Sequence, residues 1–141
     1  MGKNTSAILL AAGGLIAASP VCAAASAEQV EFFENRIRPV LAQECYECHA
    51  GGKKRKGGLL LDSRPGWQEG GESGAAIVPG DPEASLLLQS MRHTHPELKM
   101  PKNGARLDEA VLRDFEKWIA EGAVDPRDTP PSAEQLTRDT H

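Results

Sequence analysis

Cys45-Tyr46-Glu47-Cys48-His49 is the stretch on which the reading of this chain turns. Two thiols stand two residues apart, and a histidine follows at once. A disulfide across so short a loop would stabilise a fold little. A redox dithiol of the thioredoxin kind wants a preceding strand and leaves the histidine without a role. A zinc site would need two of His49, His93 and His95 besides the thiols. The spacing favours a fourth reading, the attachment signature of covalent haem. Two sulfurs at this separation reach two vinyl groups on adjacent edges of one porphyrin, and the next imidazole points at the iron from one side.

What precedes the motif agrees with that chemistry. Lys3 gives a positive start, Ala7 to Ala18 form a short apolar run, and Ala25-Ser26-Ala27 offers the small residues that a signal peptidase reads. Residues 1–27 are therefore expected to be a secretory signal peptide, cleaved after Ala27 or Ala25, which delivers the chain to the periplasm or beyond. The run is too short for a confident spanning helix, so no stable membrane span is expected after cleavage. Cys22 lacks the residues that precede a lipidated cysteine.

Composition raises a question that haem would answer. The chain has 141 residues and six aromatic side chains, Phe32, Phe33, Tyr46, Trp67, Phe115 and Trp118. Beyond residue 27, Leu, Ile, Val and Phe number 22 among 114 residues, near the level at which chains stay disordered. A core of protein atoms alone would be thin, and a flat apolar disc would supply what is missing. Without haem the chain is expected to be largely unfolded. The formal charge is −4, with no sustained basic face, which argues against nucleic acid as a partner.

Periodicity predicts three main helices. Val30, Phe33, Ile37 and Leu41 mark one face of a helix over 28–43, which Pro39 should kink or end near Arg38. Residues 51–80 hold nine glycines and read as one long irregular excursion, with Leu59-Leu60-Leu61 a short strand or a packed loop. A second helix is expected from Asp81 and Pro82, carrying Leu86, Leu87, Leu88 and Met91. A third is capped by Asp108, stapled by Leu107 and Leu112, lined by Phe115, Trp118 and Ile119, and ended by Gly122. The expected domain covers 28–125, and 126–141 reads as a polar linker or disordered tail.

An iron held by His49 has a second axial position, for which Met91, His93, His95 and Met100 are the candidates. Met91 sits on an apolar helix face, where methionine is more often filler. The histidines lie on a polar stretch. Met100 is favoured, because Leu98-Lys99-Met100-Pro101 is an extended loop between helices, 51 residues beyond His49. A methionine ligand favours reduced iron and a closed electron-transfer site; an open position would favour gas binding or haem-enzyme chemistry. Trp67 and Arg64 are weaker candidates for contacts to the haem propionates. Lys53-Lys54-Arg55-Lys56 is either a docking patch or a solvated loop. No phosphate loop, catalytic triad or carboxylate pair stands out.

Together these residues resemble the cytochrome c domain typical of planctomycete secreted proteins. The resemblance spans roughly 32–127. It rests on Phe33 and Ile37-Arg38-Pro39, the 45–49 motif, Lys56-Gly57-Gly58-Leu59, Leu61-Asp62 and Gly70-Gly71-Glu72-Ser73-Gly74. It continues through Ile77-Val78-Pro79-Gly80, Ser85-Leu86-Leu87, Lys99-Met100-Pro101 and Glu116-Lys117-Trp118-Ile119. It implies an all-α, class I cytochrome c-like fold of about three main helices wrapped around one covalent haem c with a long Gly-rich loop. The first and third helices would cross near the haem, with Met100 as sixth ligand. The function expected from a histidine- and methionine-held iron is that of an electron carrier rather than an enzyme. The partners would be redox proteins or fused downstream domains, with no small-molecule substrate.

Overall fold

The computed structural model describes residues 2, 24–102 and 104–140. The leader 1–27 lies almost wholly outside that range. Among the described residues the fold is helical and contains no sheet.

A helical rod runs through residues 27–49. It consists of α1 (Ala27–Phe32), a π segment Phe33–Ile37, α2 (Arg38–Val40), a second π segment Leu41–Cys45, and α3 (Tyr46–His49). Ser26 caps it through a reciprocal bond pair with Gln29. Pro39 was expected to kink or end this helix. The rod instead passes through it and carries a wider turn on either side. Arg38 N–H donates to the Phe33 carbonyl and Tyr46 N–H to the Leu41 carbonyl, five residues back in each case. Those turns accommodate the donor that Pro39 lacks and the bulk of its ring.

The glycine-rich excursion is not wholly irregular. Leu59 to Leu61 is a packed loop, and α4 (Arg64–Glu69) follows, capped by Ser63 with Pro65 in its first turn. α5 (Leu86–Met91) starts later than expected, because Asp81 and Pro82 form a preceding turn instead. The Asp81 carboxylate accepts from Ala84 N–H, and the Ser85 hydroxyl donates to the Asp81 carbonyl at 2.8 Å. α6 (Glu109–Ala120) follows Asp108 as the pattern predicts and ends at Gly122, whose φ of +102° favours glycine.

The rod crosses α6 through aromatic contacts. Phe33 and Trp118 lie 5.7 Å apart, Phe115 and Trp118 5.9 Å, and Trp67 stands edge-on to Trp118 at 6.5 Å. Five of the six aromatic side chains are buried, in a cluster completed by Ile37, Leu41, Leu61, Leu88 and Ile119.

Residues 126–140 differ from the expected linker or tail. Arg127 is half-buried, and α7 (Ala133–Asp139) carries its own cap, Ser132 with Gln135. Leu136 is buried against the second π segment, so close to Gly52 that a Cβ there would stand 2.7 Å from its methyl. Arg38 pairs with Asp139 at 3.3 Å, which fixes the far end. No helix among the described residues is long and apolar enough to cross a membrane.

Candidate haem site

A largely apolar cavity of about 370 Å³ opens beside the rod, within the roughly 300–1,000 Å³ of small-molecule and cofactor sites. Cys45, Cys48 and His49 line it from the rod; Met91 from α5 and Met100 from the following loop also line it. Both thiols are free. Leu59, Leu61, Ala76, Leu87 and Leu107 supply apolar wall, and no aromatic side chain faces it. The motif and Met100, 51 residues apart in sequence, thus share one cavity.

His49 is oriented by its neighbour. Its Nδ1 lies 3.3 Å from the Leu59 carbonyl oxygen. A carbonyl only accepts, so Nδ1 carries the proton and Nε2 keeps its lone pair, the arrangement typical of a metal-bound imidazole. Burial holds the His49 pKa below its ordinary value, which also favours the neutral ring. Burial, with Glu44 and Cys48 beside it, pushes the Cys45 thiol up to about 12.

The turn behind the motif is fixed by charge. Arg127 donates to the Tyr46 hydroxyl, and to the Leu61 carbonyl at 3.1 Å. It lies over the Phe33 ring at 4.9 Å and pairs with the fully buried Asp125 carboxylate at 2.7 Å. Asp125 also accepts from the Trp67 indole at 3.0 Å. Beside them, Asp62 accepts from Gly51 N–H at 2.7 Å. The residue following Cys45 is thereby tied to the chain beyond α6. This network escaped the sequence reading, because nothing local marks Asp125 and Arg127 as a pair in a stretch of polar composition.

Trp67 and Arg64 do not reach the cavity. The Trp67 indole is committed to Asp125, and Arg64 bonds the Asp125 carbonyl and the Asp128 carboxylate. Both thus have partners within the protein, and Lys56 and Lys102 are cations that line the cavity. The basic run is partly neutralised by ion pairs of Lys54 with Glu47 and Arg55 with Glu69.

The glycines of the excursion let two loop strands meet at the cavity wall. A Cβ on Gly71 would stand 2.7 Å from the Gly57 carbonyl oxygen, a distance no side chain tolerates. The donor set and its apolar walls fit a haem: two free thiols, an imidazole with a free nitrogen and a thioether face one space.

Residues 45–104 match the family model described as Planctomycete cytochrome C. This match supports a planctomycete-type cytochrome c domain. Such a domain implies a haem cofactor and suggests an electron-transfer role. The match starts at Cys45 and reaches past Met100, so that the rod before the motif, α6 and α7 lie outside it. No curated protein and no solved structure matches the chain. Of the other histidines, the His93 ring bonds the Met100 carbonyl through Nε2, and His95 Nδ1 accepts from Glu97 and Leu98 N–H; neither lines the cavity. Among the described residues, no three His, Cys, Asp or Glu side chains converge on a point that could hold a metal ion.

Proposed function

We propose that this chain is an exported monohaem cytochrome c that passes single electrons. Cys45 and Cys48 would tether the haem as thioethers, His49 would hold the iron through Nε2, and Met100 would supply the second protein ligand. The observation that carries this reading is the meeting of all four side chains at one apolar cavity. Haem supplies the one-electron chemistry, and the protein tunes it. The Leu59 carbonyl fixes the His49 ring, the apolar walls exclude water, and a thioether raises the potential by favouring reduced iron. The leader 1–27 supports export, and domain bounds of 28–125 require extension, since 126–140 packs onto the rod. Its partners are then redox proteins or fused domains.

A mass measurement on protein exported by a strain that matures c-type haem tests the tether and the leader together. The expected mass is that of a chain cleaved after Ala27 or Ala25 plus one haem, retained after acid-acetone extraction. Haem that extracts freely would overturn the covalent reading. Met100→Ala should keep the haem, lower the potential and abolish the methionine–iron absorption band. Rapid carbon monoxide binding by the ferrous wild type would instead mark an open sixth position.

A further inference from the structure

The loop that carries Met100 is held by a histidine at its base. Residues 92–107 leave α5 at Arg92 and return to α6. Arg92 is anchored by Glu83 at 2.6 Å and Glu116 at 2.9 Å, and Arg106 donates back to the Arg92 carbonyl at 3.0 Å. The loop is thereby closed on itself, but these bonds leave the direction of Met100 open.

Two bonds to Met100 itself set that direction. Its N–H donates to the Ser90 carbonyl at 3.0 Å. Its carbonyl oxygen lies 3.1 Å from His93 Nε2, which must carry the proton because a carbonyl only accepts. His93 adopts φ +59°, a left-handed backbone that is costly for a side chain with a Cβ. Such strain persists where the surroundings over-determine it. Here a half-buried imidazole is turned back onto the loop rather than into solvent. Both backbone polar groups of Met100 are thus fixed to the end of α5, which holds the residue at the cavity it lines.

We propose that His93 is a positioning residue for Met100, holding the loop so that the thioether stays on the iron. This inference rests on the reading of Met100 as the axial ligand. It assigns a role to a histidine that is neither a ligand itself nor surface filler.

The test uses the ferric holoprotein and added imidazole, which competes for the iron when the methionine swings away. Glycine adopts φ +59° freely, so His93→Gly removes the ring without adding strain. It is expected to lower the imidazole concentration that half-displaces the methionine band by about tenfold, the value of one lost hydrogen bond. The helical unfolding midpoint should move little. His93→Gln, which keeps an N–H of similar reach, should recover part of the change, and Lys99→Ala on the same loop should resemble wild type. A His93→Gly protein that titrates as wild type does overturns the proposal and leaves Met100 standing. So does a change matched by an equal loss of global stability that His93→Gln does not recover. A wild type without any methionine band overturns the axial reading itself.

Discussion

The two walls of the cavity are built by different physics. Cys45, Cys48 and His49 sit on a continuous helical rod, backed by the Arg127–Asp125 pair and by an aromatic cluster that never touches the cavity. Met100 sits on a loop held by separate hydrogen bonds and ion pairs, with Leu107 its contact to the core. Cooperative packing on the helical wall makes its geometry costly to change. The loop wall can open locally, because the free energy of opening is that of its few bonds. An electron carrier gains from a fixed covalent side, while its thioether side sets the potential.

Denying the protein its haem breaks this comparison most severely. In a Cys45→Ala/Cys48→Ala chain the cavity is left without its filling, and the loop wall has little else to pack on. Amide exchange is expected to lose protection first and furthest in residues 92–107, while 27–49 and 109–120 keep part of theirs. Composition alone suggests an apoprotein that is largely unfolded; the aromatic cluster of Phe33, Trp67, Phe115 and Trp118 narrows that loss to one side. Uniform loss of protection in both regions would erase the distinction between the walls.

The next largest effect should come from the charge behind the rod. Asp125→Ala strips the half-buried Arg127 of its carboxylate partner while leaving it the Tyr46 hydroxyl and Leu61 carbonyl, so the cost should lie at the low end for such pairs, about 3 kcal/mol. Denaturant unfolding of the holoprotein measures it. A cost below about 1 kcal/mol would show that the pair is structural ornament and that the rod stands on its apolar face alone.

How much of this was legible beforehand follows from what is local. The haem motif is five consecutive residues, and Met100 lies in a loop bounded by helix signals, so both could be found by spacing. Asp108 and Gly122 marked α6 correctly. Two further local signals were present but unused: Ser63 with Pro65 before α4, and the Ser132–Gln135 pair before α7. The Arg127–Asp125 pair had no such signal. Its burial depends on Tyr46, Leu61 and Trp67 arriving from three other segments. Trp67 and Arg64 were assigned to the haem for the same reason, since residue type suggested a propionate and tertiary contacts supplied other partners.

Tyr46 gives the helical wall a pH signature that the loop wall lacks. Burial raises its pKa from 10.0 to about 12, despite the opposing influence of Arg127. The folded state thus prefers the protonated phenol more than the unfolded state does. That stability is fully present below about pH 10 and is lost as pH rises towards about 12, by about 2–3 kcal/mol on this shift. In the holoprotein, with Cys45 consumed as a thioether, the decline should belong to Tyr46. Tyr46→Phe should be less stable at neutral pH and flatter between pH 10 and 12. A wild-type profile that is already flat there would remove the buried phenol from the account.

The smallest effect lies at the start of the rod, away from both walls. Ser26 accepts from Gln29 N–H while the Gln29 side chain accepts from Ser26 N–H, so the first turn of α1 depends on a residue beside the expected cleavage point. Cleavage after Ala25 keeps this cap, and cleavage after Ala27 removes it. A chain beginning at Ser26 should be more stable than one beginning at Glu28 by about 1 kcal/mol, the usual value of a side-chain cap. The two should share one reduction potential, because the cap acts on the rod and touches neither ligand. A shift in potential between them would mean that the rod transmits strain along its length to His49. The two walls would then be less independent than their construction implies.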